Sequence, residues 1–142
     1  MMASPSRTRL AAASALALPI AVLLAAFPSL AQAAAGTIQF VAGSARVVSP
    51  AGTERSAVRG MNVDEGDTVI TGSDSRLQMR MIDRAVLALR PDTRVQVQTY
   101  QFSGTEDGNE RGVLQLATGM LRSLTGLIGR TRKDRLLVVT PT

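Results

Sequence analysis

All twelve glycines of the chain fall between Gly36 and Gly129. Over the 109 residues from Ala34 to Thr142 that is about one in nine, the spacing of turns between short strands rather than of long helices. The residues between the turns alternate. Leu77, Met79 and Met81 interleave with Arg76, Gln78 and Arg80, which puts an apolar set on one side of a strand and a polar set on the other. Val95, Val97 and Thr99 do the same against Arg94, Gln96 and Gln98. Shorter runs at Thr37–Val41, Ala45–Ser49, Glu54–Val58 and Val69–Thr71 end in glycine, proline or serine, and Ala85–Leu89, apolar on both faces, reads as a central strand.

Two short corners, Asp83-Arg84 and Arg90-Pro91-Asp92-Thr93, are expected to make the strands on either side of them neighbours, the second as a type I turn. Ser103–Glu110 reads as a polar hairpin loop. Val113–Leu124 reads as a tight hairpin through Gly119, Thr125–Arg130 as a glycine-bracketed connection, and Leu136–Val139 as a last buried strand. The expected fold is all-β, with 8–10 short, mainly antiparallel strands in a small sandwich or β-roll and no helix beyond the N-terminal segment.

That N-terminal segment is of another kind. Arg7 and Arg9 precede an Ala/Leu-rich run from Leu10 to Phe27, and Ala31-Gln32-Ala33 sets small residues at the two positions a signal peptidase reads. Residues 1–33 are therefore expected to be a secretory signal-peptide helix, cleaved before Ala34 after export through the Sec pathway to the periplasm. An uncleaved anchor is the competing reading, and it would be the chain's one membrane attachment. Pro19, Pro28 and the weak hydrophobicity of alanine argue against it. Without Arg-Arg or Cys, twin-arginine export and lipid attachment lose support.

Chemistry is narrowed by what the chain lacks. It contains no His, Cys or Trp, which removes imidazole bases, thiol nucleophiles, disulfides and zinc fingers. Three acidic residues, Asp64, Glu65 and Asp67, lie within four positions, but their spacing fits no EF-hand loop, and solvated turn acids are the better reading. The same residues with Asp83 or Asp92 offer a carboxylate pair for glycoside hydrolysis. Only Phe40, Tyr100 and Phe102 are aromatic beyond the leader, however, too few for a usual sugar cleft. Arg130, Arg132, Lys133 and Arg135, around Asp134, form a basic run able to meet anionic lipid, phosphate or cell-wall carboxylates, or to serve as a solvated loop. The formal charge of +5 comes from arginine-rich composition, and export argues against a nucleic-acid partner. The expectation is a non-enzyme with no cofactor, no catalytic or metal-binding residue, and a binding surface that the pattern leaves unassigned.

Five ordered pieces carry a resemblance. Gly43-x-x-x-Val47, Glu65-Gly66-Asp67-Thr68-Val69-x-Thr71-Gly72, Leu77-x-Met79-x-Met81-x-Asp83, Leu87-x-Leu89-Arg90-Pro91-x-Thr93 and Leu116-x-x-Gly119-x-x-Arg122 together resemble the FecR-type periplasmic domain family, over about Gly36 to Thr142. The run Leu121–Gly129 is similar to its stand-alone exported subgroup. The resemblance implies an all-β periplasmic domain and, in signalling members, relay of an outer-membrane signal to a cytoplasmic sigma factor. With a leader where those members have a cytoplasmic arm, this chain is not expected to perform the relay alone. The subgroup also continues beyond the Thr-Pro reached here at Thr140-Pro141, so the domain, 34–142, reads as truncated at its C-terminus. Arg84 stands where the family usually has a turn glycine. The expected role is an exported periplasmic or cell-envelope binding or scaffolding module, contacting an envelope protein or a cell-wall or surface polymer. The alternative is an accessory in FecR-type transmembrane signalling with a separately encoded membrane partner.

Overall fold

The computed structural model describes residues 33–141; apart from Ala33, the expected leader lies outside them. Among the described residues the chain forms β1 (Ala34–Ala42), β2 (Ala45–Val48), β3 (Glu54–Ser56), β4 (Asn62–Asp64), β5 (Thr68–Thr71), β6 (Arg76–Met81), β7 (Val86–Leu89), β8 (Arg94–Gln101), β9 (Arg111–Thr118) and β10 (Leu121–Leu124). A short helix α1 (Leu127–Thr131), a 3-10 turn (Lys133–Arg135) and β11 (Leu136–Val139) follow. The fold is all-β. One sheet has five strands in the order β10-β7-β6-β1-β4 and the other six in the order β11-β9-β8-β5-β2-β3. Every pairing is antiparallel except that of β11 with β9.

The alternation works as expected on the inward side. Leu77, Met79, Met81, Leu87, Leu89, Val95 and Val97 are all buried in one core, which Ile38, Val47, Val63, Val69 and Leu114 complete. Their neighbours Arg76, Arg80 and Arg94 are exposed. β6 and β7 pair as a hairpin, Leu77 opposite Leu89 and Met79 opposite Leu87.

The next two corners do not make hairpins. β8 leaves β7 for the other sheet, and β9 and β10 are likewise divided between the sheets. The expected adjacency across Pro91-Asp92 and the expected 113–124 hairpin are thus corrected. Inward-facing residues meet one core whether their strands are neighbours in a sheet or partners across the interior, so alternation alone does not distinguish the two arrangements. Asp92 takes φ 53, and its N–H donates to Gly72 C=O at 3.1 Å, which fastens the corner to the end of β5. Asx-type residues tolerate this left-handed backbone.

Two further expectations are corrected at the C-terminal end. Leu127–Thr131 is helical rather than a plain connection, and β11 is an exposed edge strand, with Leu137, Val138 and Val139 at 45%, 44% and 46% exposure, not a buried one. An apolar run marks a strand but not its rank in the sheet. β4 was also not foreseen, because Asn62-Val63-Asp64 is too short and polar to signal a strand before it pairs with β1.

The Asp83-Arg84 turn is a three-residue loop. Arg84 N–H donates to Met81 C=O at 3.0 Å, Met81 N–H donates to Ala85 C=O at 2.8 Å, and Arg84 adopts φ 70. This is the left-handed third loop position that favours glycine. Arg84→Gly is expected to raise stability by up to about 1 kcal/mol, read as a higher denaturant midpoint. A lower midpoint would mean that the Arg84 side chain has a structural role.

Candidate functional site

The Glu65, Asp67 and Asp83 carboxylates and the Thr71 and Thr93 hydroxyls are used by the fold. Asp67 is 2% exposed; its Oδ2 accepts from Asp64 N–H at 3.1 Å and from the Arg55 guanidinium at 3.0 Å. Glu65 Oε1 accepts from Tyr100 N–H at 2.6 Å, and Gly66 N–H donates to Val97 C=O. The Glu65-Gly66-Asp67 loop is therefore docked along β8, which corrects the picture of solvated turn acids. Gly66 takes φ 87, the left-handed region that favours glycine. At Gly72 a Cβ would lie 2.7 Å from Ser44 Oγ and 3.2 Å from Ser44 C=O.

A second knot joins three corners. Thr71 Oγ1 donates to Arg90 C=O at 2.7 Å and accepts from Thr93 N–H at 3.0 Å, while Thr93 Oγ1 takes Met120 N–H at 3.1 Å. Thr71 and Thr93 are buried. The third knot is centred on Asp83, fully buried in the hairpin turn. Its Oδ1 accepts from Ala85 N–H at 3.1 Å and Tyr100 O–H at 2.8 Å, and its Oδ2 from Ile128 N–H at 3.2 Å. Asp83 C=O takes Leu127 N–H as well. Gly126 fits this junction because a Cβ there would come within 2.6 Å of Asp83 C=O and 2.4 Å of Ala85 N.

Burial, reinforced by the adjacent Asp83 carboxylate, pushes the Tyr100 phenol far above its ordinary 10.0. A raised folded value favours the protonated form. The resulting stability is complete below the unfolded value of 10.0 and is lost as pH rises past it toward the folded value. Between about pH 9 and 11 the denaturant midpoint of the wild type is expected to fall more steeply than that of Tyr100→Phe. Parallel slopes would contradict the burial of this phenol.

These acids are distributed over separate knots. Among the described residues no group of three or more acidic side chains is placed to hold a metal ion, and the Glu65 and Asp67 carboxylates are occupied by the contacts above. Asp92 lies exposed at its corner, away from a paired carboxylate role. Of the basic run, Arg132 and Arg135 line a cavity of about 300 Å³ with Glu106, Asp107 and Glu110, while Arg130 and Lys133 are exposed.

The free chemistry lies on the outer face of the five-stranded sheet. Pairing sets Phe40 opposite Gln78, Gln78 opposite Ala88, and Ala88 opposite Arg122, a row crossing β1, β6, β7 and β10. Ala88, the smallest side chain of that row, leaves a trough. Two adjoining cavities of about 250 and 260 Å³ share Gln78, Ala88 and Arg122 in their walls. Phe40, Arg76 and Arg90 line the first, Val86 and Leu124 the second. No acidic residue lines either one. Neither ion pair among the described residues involves Arg76, Arg90 or Arg122. Phe40 is 51% exposed and Leu124 57%.

Alternation places Arg76 and Gln78 on this face, but joining them to Ala88, Arg122 and Phe40 requires the strand order. A bulge in the β1–β6 pairing between Ile38 and Phe40 is what turns Phe40 outward.

No family model, curated protein or solved structure matches the chain.

Proposed function

We propose that the protein is a non-enzymatic, exported binding or scaffolding module of the periplasm or cell envelope, and that the trough on the five-stranded sheet is its binding surface. The observation that carries this reading is the division of polar groups. The Asp67 and Asp83 carboxylates and the Thr71 and Thr93 hydroxyls are taken up in fastening turns, whereas the arginines around Ala88 are left unpaired beside an exposed phenylalanine. The leader-like pattern of residues 1–33 supports export, and β1 starts at Ala34, the residue that cleavage would leave first. Among the described residues no helix is long and apolar enough to cross a membrane.

Two measurements on cells test it. Osmotic shock should release a chain whose N-terminus is Ala34. A photo-crosslinking residue in place of Ala88 should give discrete adducts in the envelope that the same residue at Gln98, on the other sheet, does not. Intact Met1 retained in the cytoplasm, or no adduct at position 88, would overturn the proposal. The ordered FecR-like pieces favour a second reading, an accessory in transmembrane signalling with a separate membrane partner. An adjacent sigma factor and receptor gene would support that role.

A further inference from the structure

We infer that the occupant of the trough is an acidic polysaccharide, a chain of carboxylate-bearing sugars lying across the strands; this rests on the trough being the binding surface. The charge is one argument. Arg76, Arg90 and Arg122 surround a site with no carboxylate of its own, and a guanidinium matches a carboxylate with two parallel N–H donors. The shape is another. The two cavities are joined side by side through Gln78, Ala88 and Arg122 and follow a row four strands wide, so the site is elongated and suits a linear chain. With strands about 4.8 Å apart, the Phe40-to-Arg122 row extends about 14 Å.

The floor specifies sugar rather than a bare anion. The Gln78 side chain makes no hydrogen bond within the described residues, leaving its amide to donate to and accept from ring hydroxyls. Phe40 presents an exposed ring at one end of the row, a face on which the C–H side of a sugar can rest. A flat bilayer does not enter a trough whose floor is the half-buried Ala88 between the longer side chains of Gln78 and Arg122. An acidic polypeptide would use the arginines but gain little from the Gln78 amide and the Phe40 ring.

Titration calorimetry on the whole domain, 34–142, provides the test, with polygalacturonate as probe and neutral dextran, polyglutamate and phosphatidylglycerol vesicles as comparisons. Polygalacturonate is expected to bind and to weaken with salt. Arg122→Gln, which alters both cavities, should weaken it about tenfold or more. Phe40→Ala should weaken it several-fold while leaving any polyglutamate binding unchanged. Both residues are exposed, and unaltered thermal midpoints will show that the variants fold. Dextran binding as tight, polyglutamate or vesicle binding as tight, or no polygalacturonate binding would each overturn the inference. If polygalacturonate fails while adducts at position 88 persist, the trough has another occupant and the binding-module reading stands. If both fail, that reading falls too.

Discussion

Replacing Asp83 by alanine is expected to cost about 3–5 kcal/mol, a large share of the 5–15 kcal/mol that holds a domain together. The carboxylate is fully buried and accepts from the N–H groups of Ala85 and Ile128 and from the Tyr100 hydroxyl. Its removal strands all three donors in a dry interior, where each unmade bond costs on the order of 1–3 kcal/mol. The loss spreads over three elements. The hairpin turn loses one of its ties, β8 loses a hydrogen bond to the opposite sheet, and α1 loses the side-chain acceptor at its first turn. Asp83→Asn should cost less, about 2 kcal/mol, because one amide oxygen still accepts from Ala85 and Tyr100 while the amide nitrogen faces the Ile128 N–H. Urea denaturation monitored by circular dichroism reads both. A change below about 1 kcal/mol in Asp83→Ala would show that the junction is wet or loose.

Leu87→Ala is expected to cost about 2–5 kcal/mol. Leu87 has no exposed surface and sits in β7 between Met79 of β6 and Ser123 of β10. The missing side chain leaves a cavity that the two sheets, each fixed by its own hydrogen bonds, cannot close. Arg80→Ala, on the outer face of the adjoining strand, should cost less than about 0.5 kcal/mol. Equal costs would mean that both faces of the five-stranded sheet are covered, and the trough would then not be open to a ligand.

The inward residues were legible because period-2 alternation reports which side of a strand meets the core, and it does so without knowledge of the strand's neighbours. Leu77, Met79, Leu87, Val95 and Val97 all follow it. What alternation omits is sheet membership. Both Pro91-Asp92 and Gly119-Met120 look like hairpin turns, yet each carries the chain from one sheet to the other, held there by Thr71 and Thr93 hydroxyls acting over 19 to 27 positions of sequence. Such contacts have no local signal.

The same limit hid the trough. Phe40 and Arg122 lie 82 positions apart, and only the order β10-β7-β6-β1 sets them in one row. The acids were the opposite case. Asp64, Glu65 and Asp67 read as solvated turn acids, but the fold turns Asp67 toward Arg55 and Glu65 toward β8, and it turns Asp83 toward α1. Gly126 shows how a small residue in a connection is explained only by what it touches, here the backbone of the Asp83 turn.

The Asp67, Thr71, Asp83 and Thr93 side chains are clamps between elements, and the proposed binding surface is the outer face that they leave uncommitted. A double-mutant cycle between Asp83 and Tyr100 tests the clamps most directly, since their hydrogen bond joins the hairpin of one sheet to a strand of the other. Asp83→Ala, Tyr100→Phe and the double variant, each unfolded in urea, should give a coupling free energy of about 1–2 kcal/mol, the range of a buried hydrogen bond to a carboxyl oxygen. Additive effects, with coupling near zero, would contradict the clamp and return Asp83 to the candidates for a ligand site.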